Sequence, residues 1–443
     1  MWDYAESLDW LYGRQKLGIK LGLGKVHRLL AGIGDPQDAF HAVHVAGTNG
    51  KGSVVRMLAE ILRLAGHHVG TTTSPHLVRF TERIDIDGEA VSEDEVRAGL
   101  LRIRPVVETL DAAAEPPTFF EVVTALAFHV FRERGVEWAV VETGLGGRLD
   151  ATNVLRPRLT VITNVERDHQ AFLGEHVAEI AYEKAGIMKS GVPCVTAARG
   201  DALVVLKAVS HEMEAPMSII GEDYHAVPDV NGLRLVTPTG EARFDLALPG
   251  EHQIENAAVA VASADALRAQ GVDVPAVAVR QALAHVRVPG RLESFHVRRR
   301  ALDPDGAGPD RAVEVLLDGA HNEAAAAALR RHLVHRDWAG FHLVTGFNAD
   351  KAWEASLDQW APLAGHVWGV PLRNPRSLDP QCMADPVRGY GVPFDGRADV
   401  ADALLAAVRA GAERILVAGS LYLVGEARAV LGGEGLEEIR GSQ

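Results

Sequence analysis

The sequence predicts an α/β protein: a mostly parallel sheet with helices on both faces and a small antiparallel patch, followed by a smaller α/β domain. Three observations carry this expectation. Short apolar runs alternate with amphipathic helical patterns along most of the 443 residues, the pattern that parallel sheets require. Aromatics are sparse at 6% while glycines number 44, which suits tight-turned layers better than a β-sandwich. One Gly/Pro/Asp stretch, LDPDGAGPD at 302–310, cannot be regular structure and interrupts the alternation before it resumes.

The elements follow in order. HAVHVA (41–46) reads as a buried strand. After Ser53, apolar residues at Val54, Leu58, Ile61, Leu62 and Ala65 have helical spacing, stopped by Gly66. Ser92 with Glu95, and Thr118 with Glu121, are candidate capping boxes for helices ending near residue 110 and at Gly135. EWAVVE (137–142), LTVITNV (159–165) and VPCVT (192–196) read as further strands. Residues 224–248 alternate around the turn signals Asn231-Gly232 and Thr239-Gly240, which predicts the antiparallel patch. Past a boundary near residue 290, strands are expected at 312–318, 341–346, 366–370 and 413–420, with a helix over 324–333 and another after residue 346.

Composition excludes several classes. Lys plus Arg number 45 against 59 Asp plus Glu, a net charge of −14. An acidic protein lacks the basic footprint that nucleic acid or an anionic membrane requires. The two cysteines, Cys194 and Cys382, have no metal-ligand spacing and suit a reducing compartment. No signal-peptide pattern and no apolar run of roughly 18 residues is visible, so a cytoplasmic location is expected.

The strongest local signal is HVAGTNGKGS (44–53). Strand, glycine-rich turn, lysine, hydroxyl and helix are the layout of a phosphate cradle, with backbone N–H groups and a helix N-terminus facing the anion. Gly47, Thr48, Asn49 and Gly50 form the turn. Lys51 neutralises outer phosphates and Ser53 binds Mg²⁺ in this reading. The strict motif fails, since Val45 stands for a glycine and Gly52 separates Lys51 from Ser53. Ligands of open parallel sheets bind beyond the carboxyl ends of strands. Glu142 and His169 fall at that edge. Glu142 suits Mg²⁺ or caps the next turn; His169 reads equally as a structural histidine. Lys184 sits late in a helix, where an ion pair with a neighbour is the plain reading.

Taken together, the motifs resemble the folylpolyglutamate synthases, including the bifunctional dihydrofolate synthases. The match runs through HVAGTNGKGS, TTSPHLVRFTERI (72–84), TFFEVVTALAF (118–128), VVETGLGGRLDATNV (140–154), TNVERDH (163–169), IAYEKAGIMK (180–189), LPGEHQIENAAVAVA (248–262), VPGRLE (288–293), LLDGAHN (316–322) and VAGSLYLVGE (417–426). The resemblance implies a P-loop-type ATP domain carrying the folate site over 1–290 and a Rossmann-like glutamate domain over 291–443. It implies ATP-dependent addition of L-glutamate to a reduced folate or dihydropteroate through an acyl phosphate.

It also implies roles. Ser53 and Glu142 hold one Mg²⁺; Ser74, Glu142 and His169 hold a second. Lys184 is the position that this family carbamylates, and K⁺ is a further candidate ion. Asn256 and Arg291 contact ATP. Asp318 and His321 close over nucleotide or reacting centre. Lys351 and Ser420 receive the glutamate carboxylates. Thr118, Phe120 and Asp150 contact the pterin, although Phe120 reads equally as helix core. Where relatives commonly show Asp-Lys-Asp, this chain has Asp350-Lys351-Ala352. A monomer is expected, opening between domains at 288–292 so that Lys51 and His321 separate without ligands. The rivals are a muramyl-type ligase and a non-catalytic nucleotide-binding regulator. Against the first, 46 residues precede Gly47, too few for a nucleotide-sugar domain, and Gly52 replaces the threonine usual after the lysine. Against the second, a mere binder needs no second metal site.

Overall fold

The computed structural model describes residues 2–18, 20–230, 232–306 and 310–433. Its first sheet contains β1 (His41–Ala46), β2 (Val69–Thr72), β3 (Ile84–Ile86), β4 (Glu89–Ala90), β5 (Trp138–Glu142), β6 (Leu159–Ile162), β7 (Cys194–Thr196) and β8 (Met217–Ile219). The order is β4-β3-β2-β5-β1-β6-β7-β8. The six strands from β2 to β8 in that order run parallel, and β3 and β4 add an antiparallel edge. Residues β9 (His225–Asp229), β10 (Gly232–Thr237) and β11 (Gly240–Asp245) form the expected antiparallel patch. Asn231 of the predicted turn lies outside the described residues, as do 307–309 of the loop at 302–310.

Alternation along the strands decides which helices cover which face. Val43, Val45 and Val140 pack with helices Lys51–Leu64, Glu251–Ala269 and Ala276–His285. Ala42, Ala139 and Val141 face the other way, onto Tyr4–Tyr12, Glu93–Ala112 and Phe119–Glu133. Both capping boxes form: Glu95 N–H donates to Ser92 Oγ at 3.2 Å and Glu121 N–H to Thr118 Oγ1 at 3.3 Å.

The second sheet has β12 (Glu293–Arg298), β13 (Ala312–Asp318), β14 (Phe341–Thr345), β15 (Ala364–Gly369), β16 (Phe394–Gly396) and β17 (Arg414–Ala418), ordered β12-β13-β17-β14-β15-β16. It is parallel except for β12, which pairs antiparallel with β13. Leu316, Leu343 and Leu416 bury one face and Val315, Val344 and Val417 the other. No helix among the described residues is long and apolar enough to cross a membrane.

The two sheets meet with their loops in contact. Lys351 Nζ lies 2.6 Å from Asp168 Oδ1, and Asn322 Nδ2 donates to Asn49 Oδ1 at 2.9 Å. Each side supplies a charge or amide complementary to the other, so the closed arrangement satisfies groups that opening would leave to solvent.

Candidate active site

β1 lies between β5 and β6, the place where successive connections leave toward opposite sides of the sheet. A crevice opens there beyond the strand ends. The phosphate loop turns in it. Gly47 and Gly50 have φ of 151° and 84°. A Cβ at Gly47 would stand 1.8 Å from Thr163 Oγ1, and one at Gly50 2.3 Å from Asn256 Oδ1. The turn is fastened to the strand-end loop of β6: Thr48 N–H donates to Asn164 O at 2.9 Å and Asn49 N–H to Asn164 Oδ1 at 2.8 Å. Helix Lys51–Leu64 starts from Gly50 with no side-chain cap, so its first N–H groups are left for an anion.

Lys51 Nζ donates to Gly47 O at 3.1 Å and Thr48 O at 3.2 Å, and lies 3.9 Å from Glu142 Oε1. Glu142, at the end of β5, is buried. Its Oε2 accepts from Ser74 N–H at 3.1 Å, so it does not cap the following turn. Burial raises its pKa against the opposing pull of Lys51, the Ser74 amide and Arg291. A Cβ at Gly52 would stand 4.0 Å from Glu142 Oε2. Ser53 Oγ accepts from Gln253 Nε2 at 3.2 Å, and Asn256 Nδ2 donates to Gln253 Oε1 at 2.9 Å.

Lys184 departs from its plain reading. Its ammonium is buried and donates to Gly47 O at 2.8 Å, a backbone carbonyl rather than a carboxylate. Gly47 O therefore accepts from both lysines. Burial, then the nearby Lys51 charge, pushes the Lys184 pKa down to about 7.

His169 has a left-handed φ of 52° at the start of a four-residue helix. Its pKa falls to about 4, first through burial, with the Lys351 and Lys51 charges adding to the drop and Asp168 opposing it. Asp168 is the residue that sequence reasoning passed over. It meets Lys351 at 2.6 Å, His169 Nε2 at 3.8 Å and His321 Nε2 at 3.9 Å. Although burial alone raises its pKa, His169, Lys351 and His321 together hold it below the ordinary range. Gln253 and Asn322 were also missed. Gln253 had a signal, since it stands three residues before Asn256 on one helix. Asp168 had only its place in the polar strand end TNVERDH (163–169), because its partners are far along the chain.

From the second domain, Asp318 Oδ2 accepts from Leu292 N–H and Oδ1 from Ala320 N–H, both at 2.9 Å. It fixes the linker to the loop that carries His321. His321 Nδ1 faces Gly319 O at 2.8 Å, which makes Nδ1 the protonated nitrogen and leaves Nε2 bare toward Asp168. Arg291 Nη1 would touch a Cβ at Gly319 at 2.6 Å. Ser420 caps helix Leu421–Gly432, its Oγ accepting from Tyr422 N–H at 3.2 Å. The preceding Gly419 N–H donates to Ala320 O at 3.1 Å, so Ser420 sits beside the His321 loop. Lys351 instead turns to Asp168.

Thr118, Phe120 and Asp150 lie apart from this cluster, lining one cavity together with Leu145 and Leu149. Phe120 is half-buried there, against Gly144, where a Cβ would stand 2.5 Å from the ring. Its neighbour Phe119 belongs to the core and stacks on Tyr12. Asp150 accepts from Leu145 N–H at 2.8 Å and Thr152 N–H at 3.0 Å.

No group of three or more His, Cys, Asp or Glu side chains is gathered as a metal cluster among the described residues. The expected donor set contains only two such side chains, Glu142 and His169. It fits a hard cation that keeps phosphate and water oxygens among its ligands, as Mg²⁺ does. The glycine cradle and the uncapped helix start fit the triphosphate.

The Mur ligase middle domain matches residues 45–264. The dihydrofolate synthase/folylpolyglutamate synthase of Bacillus subtilis is 34% identical, covering 96% of this chain and 98% of that protein. The folylpolyglutamate synthase of Lacticaseibacillus casei is 32% identical, covering 98% and 100%. Among solved structures, Mycobacterium tuberculosis folylpolyglutamate synthase complexed with ADP and AMPPCP superposes with a TM-score of 0.86 at 32% identity, covering 98% of this chain and 100% of that one. Escherichia coli FolC in complex with DHPP and ADP gives 0.85 at 28%, covering 98% and 99%. With near-complete coverage in sequence and in fold, the chain belongs to the folylpolyglutamate synthase/dihydrofolate synthase family.

Proposed function

We propose that this protein is an ATP-dependent ligase that joins L-glutamate by an amide bond to a reduced folate, and to dihydropteroate as well. One observation carries the reading. Lys51, Glu142, His169 and Lys184 converge at the carboxyl edge of the first sheet, and His321 and Lys351 face them from the second.

The chemical problem is to bring a carboxylate to a triphosphate, both negative. The loop amides and Lys51 offset the charge of the phosphates. Ser53 and Glu142 would hold one Mg²⁺, and Ser74, Glu142 and His169 a second; such ions neutralise charge on the transferring phosphoryl group. A carboxylate oxygen of the acceptor bonds to the γ-phosphorus and ADP leaves. The neutral glutamate amine then attacks the acyl carbon, and phosphate leaves with that oxygen. Closed domains exclude the water that would hydrolyse the acyl phosphate. Lys351 receives a glutamate carboxylate in place of Asp168, and bare His321 Nε2 accepts an N–H of the amine.

Lys184 supports the carbamylated state. An amine with pKa near 7 is substantially unprotonated at neutral pH, and in that form it adds to CO₂. The carbamate replaces an ammonium that crowds Lys51 with oxygens that suit a cation. Thr118, Phe120 and Asp150 take the pterin. The test is phosphate release with ATP, L-glutamate, and either dihydropteroate or tetrahydrofolate. Release that requires all three components is expected. Release without the amino acid, or none with either acceptor, contradicts the proposal.

A further inference from the structure

Asp168 stands where the two sheets meet, and the roles above leave half of its carboxylate unused. Its Oδ1 accepts from Lys351 Nζ at 2.6 Å and from the backbone N–H of His169 at 2.8 Å. Its Oδ2 takes no hydrogen bond from any described residue. Two imidazole nitrogens face it, His169 Nε2 at 3.8 Å and His321 Nε2 at 3.9 Å, both beyond hydrogen-bond reach. His321 Nε2 is the bare nitrogen of its ring, because Nδ1–H is directed at Gly319 O. Two acceptors therefore confront each other across the join with no donor between them. The place is open to a ligand: the side chain of Asp168 is 11% exposed and that of His321 27%.

Two facing acceptors, one of them charged, define a complement: a cation that carries several N–H bonds. A nitrogen about 2.9 Å from each acceptor fits between them. Asp168 also holds Lys351, and that pair crosses from the first sheet to the second. Among the described residues, Asp168 is the only carboxylate in ion-pair reach of Lys351. Asp350 turns to Arg376 at 3.2 Å, and position 352 is the uncharged Ala352. An α-amino acid bears its ammonium and a carboxylate on one carbon, so it can enter the Asp168–Lys351 pair and leave two pairs in its place. Both protein charges are already fixed and largely withdrawn from water, so little ordering remains for binding to impose. The geometry points to Asp168 as a specificity-determining residue: its Oδ2 receives the α-ammonium of L-glutamate beside His321 Nε2, while Lys351 passes from Asp168 to the α-carboxylate. This role rests on the proposed ligation of glutamate and adds to it the group that tells an amino acid from a plain diacid.

Rates with ATP and dihydropteroate give KM for L-glutamate and the inhibition constant of glutarate, the same diacid without its amine. Wild type should favour L-glutamate by about tenfold or more. Asp168→Asn should raise KM for L-glutamate by about tenfold or more and bring the two constants within about threefold of each other. Asp168→Glu keeps the charge and should retain most of the preference. Asn322→Ala loosens the join with Asp168 in place, so it should weaken both ligands in proportion; a merely structural role for Asp168 would give that same proportional loss. Should Asp168→Asn turn over too slowly, calorimetry of both ligands, with dihydropteroate and a non-hydrolysable ATP analogue present, reads the same ratio. If the wild type ligates L-glutamate but holds glutarate as tightly, or if Asp168→Asn keeps the wild-type preference, the role assigned to Asp168 is overturned and the proposed function stands. If the wild type ligates glutamate to neither dihydropteroate nor tetrahydrofolate, both fall.

Discussion

A methyl group at Gly50 would collide with Asn256 Oδ1 at 2.3 Å and would have to adopt φ of 84°, a conformation that disfavours any side chain. Gly50→Ala is therefore expected to weaken ATP binding by about tenfold or more, measured by calorimetry; unchanged affinity would remove the loop from the nucleotide site. Glu142 acts later. Its carboxylate is buried between Ser74 N–H and Lys51, so Glu142→Ala should lower kcat by about a hundredfold to a thousandfold with a smaller loss of ATP affinity. Equal losses in both would make Glu142 a binding group only. These residues were legible because their chemistry is local: three glycines, a lysine and a serine within one turn, and a carboxylate closing an apolar strand. Lys184 was half legible. Its place in a helix was visible, but the carbonyl it bonds belongs to Gly47, a contact only the fold creates. Asp168 was legible only as part of a polar strand end, since Lys351 and His321 arrive from another domain.

Elements with complete local signals were read well. Ser92 with Glu95 and Thr118 with Glu121 form their capping boxes as spaced. Ser92→Ala should cost about 1 kcal/mol of stability in urea unfolding; a neutral result would show that the cap is not used. Two strands, β2 and β12, were not legible. β2 is four residues, VGTT, with Gly70 under the ring of Phe131, and β12 alternates exposed and half-buried residues at a sheet edge. Within β1, His44 is fully buried and bonded to Thr152 Oγ1 at 2.8 Å. Burial, then the Lys189 charge, lowers its pKa to about 3. Between about pH 6.5 and 3 the unfolded chain binds the proton that the folded chain refuses, so stability rises with pH across that window and falls on acidification. Above it, His44 has no effect. His44→Gln keeps an N–H donor without a titrating ring, and its melting temperature should decline less steeply than wild type below pH 6.5. Parallel declines would contradict the assignment.

The molecule as a whole is two sheets closed on one crevice, with Asp168–Lys351 and Asn49–Asn322 across the join. Neutralising one side should open it. Asp168→Asn combined with Asn322→Ala is expected to enlarge the radius of gyration in X-ray scattering without nucleotide, with ATP and substrate restoring compaction; identical curves would show that these contacts do not hold the domains. The alternating pattern made the two-sheet architecture legible, whereas the pairs that join the sheets were not, because they are contributed by loops distant in sequence. The crevice exists, in this account, to let an acid take a phosphoryl group before an amine captures it. The most direct measurement supplies dihydropteroate labelled with ¹⁸O in its carboxylate, together with ATP and L-glutamate, and weighs the released phosphate by mass spectrometry. The account predicts one ¹⁸O transferred to phosphate for each amide formed. Amide formation with unlabelled phosphate would contradict it.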